Sequence, residues 1–181
     1  MGVEMKSEIK IIIAVIVIAI IALWFLARKE YKIISADALE AKAKAEILAY
    51  KYDKVTRGKI WDRTVKVEIT NVNVKLIQGG RVRITDCSFD IFWKEGVFPI
   101  KWHPVLSGEG NIVQQGDTLY VQDIYLDKTS VATDKYSINK KISEFANHLL
   151  RDKSFAILKD EKLSAAKIRF AEDGIYAKLD L

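Results

Sequence analysis

Two histidines, one cysteine and a scatter of carboxylates are the residues of this chain that could carry acid–base, nucleophilic or metal chemistry. His103 lies in a stretch bounded by prolines and His148 in a helical pattern, and neither has an acidic or sulfur neighbour at metal-ligand spacing. Cys87 stands alone, so no disulfide or thiolate metal site can form within the chain. It lies too far from the N-terminus to accept a lipid and is expected to pack as a small apolar side chain. Asp123, Asp127 and Asp160 are spread as on a polar face, and Gly108-Glu109-Gly110 is too short for a phosphate-binding glycine fingerprint. No nucleophile elbow or Walker motif is present. The chain is expected to be non-catalytic, with no metal and no cofactor.

What remains is apolar surface, whose only chemistry is to leave water. At 181 residues, 50% apolar and 29% charged, the chain is long enough for one domain with a core and is no disordered tail. A net charge of +5 is too small for a nucleic-acid footprint, so no nucleic acid is expected as a partner.

The unbroken apolar run from Ile11 to Ala27 would span roughly 26 Å as a helix at 1.5 Å per residue. It contains Ile11, Ile16 and Ile21, and ends in Trp24 and Phe25, which resemble an interfacial belt before Arg28, Lys29 and Lys32. Bulky Trp24, Phe25 and Leu26 replace a small-residue cleavage pattern. The expectation is a single N-terminal transmembrane helix in residues 1–32, acting as an uncleaved anchor. It would hold a domain of residues 33–181 at a bacterial cytoplasmic membrane. Positive charges flank both ends, so they do not fix the side; a cytoplasmic tip, with the domain in the periplasm or outside, is the default.

After the anchor, Ser35 is placed to cap a helix running to about Tyr52, with Leu39, Ala43, Ile47 and Tyr50 on one face. From Thr64 the period becomes two: Val65, Val67 and Ile69 alternate with polar residues, then Val72, Val74 and Leu76 continue on the opposite parity. That switch at Thr70-Asn71 predicts a β-bulge. Gly79-Gly80 predicts a hairpin returning through Val82, Ile84, Phe89 and Ile91. A second hairpin around Gln115-Gly116 leads into Leu119 and Val121, and an amphipathic helix over residues 134–152 carries Ile138, Ile142, Phe145 and Leu149. A short strand follows at Phe155 to Leu158, and Glu172-Asp173-Gly174 turns a closing hairpin. Lys94 to Pro104, with Val97, Phe98 and Trp102, shows no alternation and is expected to be a loop. It could line a cavity mouth, touch a bilayer or cap the core. The fold class is α+β, and long strands beside an amphipathic helix can either pack solid or curl around space.

The element order resembles that of the YceB-like family of bacterial envelope proteins, which is related to the tubular lipid-binding (TULIP) superfamily. The local phrases that carry the resemblance are Asp117-Thr-Leu-Tyr-Val-Gln-Asp-Ile-Tyr-Leu-Asp-Lys before the second helix, Ser154-Phe-Ala-Ile-Leu after it, and the pair Lys167-Ile-Arg-Phe and Gly174-Ile-Tyr-Ala-Lys-Leu at the end. The resemblance implies a long, curved antiparallel sheet wrapped around the helix, with an apolar groove for acyl chains between them. The inward positions then become groove candidates: Leu39, Ile47, Val67, Ile69, Val74, Phe89, Ile91, Leu119, Val121, Ile138, Ile142, Phe145 and Leu149. Val97, Phe98 and Trp102 are candidates for its mouth. The expected partners are the membrane and a lipid or acyl-chain ligand. The alternative is a solid structural domain that docks an envelope protein.

Overall fold

Long alternating strands dominate the described residues, and 58% of these are sheet. The computed structural model describes residues 15–22, 30–129 and 136–179. Ten strands run in the order β1 (Glu30–Ser35), β2 (Lys51–Thr56), β3 (Arg63–Ile77), β4 (Arg81–Glu95), β5 (Phe98–Trp102), β6 (Val105–Gln115), β7 (Thr118–Thr129), β8 (Phe155–Lys159), β9 (Ala166–Ala171) and β10 (Gly174–Leu179). Helix α1 (Ala36–Leu48) follows β1, and α2 (Tyr136–Leu150) follows β7. The large sheet has the order β2-β3-β4-β6-β7-β8, with β5 added to β4, and curls into a half-barrel. A small sheet, β1-β10-β9, shares the same core.

Bulges produce the curl. The β3–β4 register slips on both sides of Asn71, where the parity switch predicts it, and β4–β6 and β6–β7 slip as well. At two of these sites an aspartate takes the left-handed conformation, Asp86 at φ 52° and Asp123 at φ 51°, which Asp tolerates better than most residues. Each is held by an asparagine on the next strand. Asn73 Nδ2 donates to Asp86 Oδ2 at 3.0 Å, and Asn111 Nδ2 donates to Asp123 Oδ2 at 3.3 Å. A bulge strengthens local twist, so a sheet bent repeatedly closes on itself instead of lying flat.

The two helices complete what the strands leave open. Ser35 caps α1 by accepting from the Ala38 N–H, and Leu39, Ala43 and Ile47 are buried where α1 packs on β3 and β8. Pairing with β2 ends at Glu68. Beyond it, the Leu76 N–H on the bare edge of β3 donates to Glu40 Oε1 at 2.8 Å. On the other side β8 pairs with β7 only as far as Val121. Further along, Asn147 of α2 takes the place of a strand: it receives the Leu126 N–H at 2.7 Å and donates to the Leu126 carbonyl at 2.9 Å. The Tyr50 hydroxyl, donating to the Leu149 carbonyl at 3.2 Å, ties the end of α1 to the end of α2.

Polar contacts join the small sheet along its outer face. Glu30 is paired with Arg169 and Asp173 with Lys32, and both carboxyls are held below their ordinary range by those hydrogen bonds. All four groups are solvent-exposed, so these pairs set register more than they stabilise.

Several expectations are corrected. Among the described residues no helix is long and apolar enough to cross a membrane, so the transmembrane helix is not supported. Of the apolar run, residues 15–22 are described, as helix. Ile16 and Ile21 lie on it and are exposed, whereas Ile11, Trp24 and Phe25 fall outside the described residues. The first helix stops at Leu48, and Lys51 onward is strand β2. The expected loop at Lys94 to Pro104 is instead a hairpin, turning at Gly96-Val97 to pair β5 with β4. Nor is the sheet wrapped around the second helix: α2 packs chiefly on β7, and α1 is the helix that reaches both sides of the curl.

Candidate functional site

Strand length and helix length do not match here. β3 and β4 have 15 residues each, about 50 Å at 3.3 Å per residue, while the 15 residues of α2 reach only about 22 Å. A helix that short cannot cover the concave face along its whole length. At the end of the sheet where β5 joins β4, apolar residues continue along the inner face opposite α2.

Register fixes which residues these are. Ile91 lies opposite Trp102 and Trp93 opposite Ile100 across β4–β5, while Val67 and Val65 continue the same rows on β3. Ile91 is buried at 3% exposure, Trp93 is half-buried and Trp102 is exposed at 42%, so the row passes from core to solvent. Facing it across the gap are Ile142 and Phe145 of α2, both half-buried. The result is an open cleft of about 350 Å³ lined by Ile91, Trp93, Trp102, Ile142, Phe145 and Lys141. Lys141 is exposed and is the one charged group on the lining among the described residues. A larger hollow of about 410 Å³ on the sheet has Arg83, Glu109, Asp127 and Tyr125 in its wall, so its lining mixes charges of both signs.

The groove candidates divide between core and cleft. Leu39, Ile47, Val67, Ile69, Val74, Phe89, Leu119, Val121 and Leu149 are buried in one packed hydrophobic cluster and are not among the residues lining this cleft. Ile91, Ile142 and Phe145 come together in the cleft, and Trp102 also lines it. Val97 and Phe98 line a neighbouring hollow of about 400 Å³ with Trp61, Trp93 and Ile100. The side chain of Ile138 falls outside the described residues. Sequence reasoning missed Trp93, Ile100 and Trp61. The pairing of Trp93 with Ile100 was hidden because Lys94 to Pro104 carries no strand alternation.

Charge chemistry adds little in the cleft. His103 Nδ1 lies 2.7 Å from Asp90 Oδ1, an exposed pair on the opposite face of the sheet. Cys87 is buried at 1% exposure, and burial pushes its thiol up to about 12, which leaves it unreactive as a nucleophile. Among the described residues no group of three or more His, Cys, Asp or Glu could hold a metal ion.

The class the fold defines is a curled half-barrel sheet, compatible with folds that take a lipid. Comparison with known proteins finds no family model that matches the chain and no curated protein that matches it.

Proposed function

We propose that the chain is a non-catalytic binding protein for an acyl chain, which lies in the cleft between α2 and the β4–β5 end of the sheet with its anionic head beside Lys141. The observation that carries this is the continuity of the inner apolar row from the packed core into an open cleft with aromatic walls. Its volume sits at the small end of the range for ligand sites, which suits one hydrocarbon chain better than two. About eight methylenes removed from water are worth roughly 6 kcal/mol at about 0.8 kcal/mol each. Association costs reduce that while the aromatic walls and Lys141 add to it, so binding no tighter than tens of micromolar is the expectation. The resemblance to the YceB-like family and a setting in the bacterial envelope belong to the same proposal.

Docking of a protein along the exposed edge of β5 is the second reading. Pro99 counts against it, because proline removes a donor from the edge an added strand would need. The two readings separate by native mass spectrometry of the full chain with a modest excess of palmitate. The acyl-chain reading expects a single adduct of one fatty acid per chain. Bare protein at every excess, or a ladder of adducts with no preference for one, would overturn it.

A further inference from the structure

Beside the cleft, but made of other residues, the end of the sheet presents a tip of large apolar side chains to solvent. Val97 and Phe98 at the β4–β5 turn are 70% and 75% exposed, and Ile60 and Trp61, in the connection between β2 and β3, are 82% and 57% exposed. These two segments form one structure. The Gly96 N–H donates to the Asp62 carbonyl at 3.3 Å, and the Trp61 ring lies so close over Gly96 that a Cβ there would come within 2.8 Å of it. Gly96 also has φ 60°, so glycine serves both the turn and the ring above it. The tip is held in shape without a partner.

Its charge is mainly positive, although exposed Asp62 lies beside Trp61. Arg57 and Lys59 lie on the segment that carries Ile60 and Trp61, and Lys94 and Lys101 lie on the strands of the hairpin. All four are exposed, and among the described residues none is in an ion pair, whereas the nearby Glu95 is neutralised by Arg63 at 3.0 Å. Protruding apolar and aromatic side chains ringed by unpaired cations are complementary to an anionic bilayer: rings sit at the headgroup level, and cations meet lipid phosphates. Two copies docking tip to tip would instead oppose like charges.

We infer that this tip is a docking surface for an anionic lipid bilayer, inserted through Val97, Phe98, Ile60 and Trp61. The inference is independent of whether the cleft binds an acyl chain. Its geometry puts the cleft next to the bilayer surface, since Trp93 belongs to both hollows.

The test is site-specific and uses the full chain, so other membrane contacts cannot imitate the result. An environment-sensitive maleimide dye is attached at Val97→Cys or, as the distant control, at Gln115→Cys at the end of β6; buried Cys87 does not compete for it. Vesicles with about one-third phosphatidylglycerol should shift the dye at position 97 to the blue and leave position 115 unchanged. The shift should fall several-fold on raising salt from about 0.1 M to 1 M, where the screening length drops to about 3 Å. Adding Phe98→Asp to the labelled chain should lower the apparent vesicle affinity read at position 97 at least tenfold, while palmitate binding is retained. No shift at position 97, equal shifts at both positions, or a shift that rises with protein concentration without vesicles would overturn the inference. The last outcome would mark a contact between copies.

Discussion

Ile142→Glu should lower affinity for a fatty acid about thirtyfold or more while leaving the chain folded. The wild-type side chain is half-buried against the cleft, so its removal forfeits contact with the ligand more than with the core. Loss of that apolar contact is worth about 1.5 kcal/mol. A carboxylate placed against a hydrocarbon chain must also be desolvated or must displace it, which adds more. Together these pass 2 kcal/mol, and about 1.4 kcal/mol is a factor of ten. Titration of a fluorescent fatty acid measures the effect. Glu144→Gln, on an exposed position of the same helix outside the cleft, serves as control and should bind as wild type. An Ile142→Glu chain that binds normally would remove the cleft from the account.

Leu39→Ala should cost about 3 kcal/mol of stability. Leu39 has no exposed surface and sits on the helix that joins β3 to β8, the two sides the curled sheet cannot join by itself. Leucine-to-alanine changes at such sites cost roughly 2–5 kcal/mol, because the cavity relaxes only in part. For a chain of this size each kcal/mol lowers the melting temperature by about 2–4 °C, so a fall of roughly 6–12 °C is expected by circular dichroism. A fall below about 2 °C would mean that α1 does not seal the half-barrel. The same experiment on exposed Tyr125 should change little.

These two residues illustrate what periodicity can convey. Leu39 is readable from sequence because Ser35 caps the helix and four-residue spacing then places Leu39, Ala43 and Ile47 on one face. The bulge at Asn71 and the Gly79-Gly80 turn are readable for similar reasons: a parity switch and two residues able to take positive φ, here 78° and 74°. Strand β2 was not readable, because Lys-Tyr-Asp-Lys-Val-Thr is an edge strand with only Tyr52 partly covered, and its polar residues suit a helix equally well. β5 hid for a different reason. All five of its residues are exposed and it contains Pro99, so no alternation marks it.

The site itself was half readable. Alternation separates inward from outward residues but carries no information on how far a helix covers them. Phe89 and Ile91 read alike, yet Phe89 is packed in the core while Ile91 lies on the floor of the cleft. The difference comes from the mismatch in length between β3–β4 and α2. The apolar run at the N-terminus shows the opposite failure: composition suggests a membrane-spanning helix, and among the described residues no helix is long and apolar enough to cross a bilayer.

The central claim is that hydrocarbon occupies the space between Phe145 and the two cleft tryptophans, and quenching by a brominated fatty acid reads it at contact range. Of the tryptophans among the described residues, Trp93 and Trp102 line the cleft and Trp61 does not. Saturable quenching with a one-to-one endpoint is predicted, together with loss of most of that quenching in the Trp93→Phe, Trp102→Phe double variant. Fluorescence untouched by the brominated acid, or quenched equally in wild type and double variant, would contradict the account.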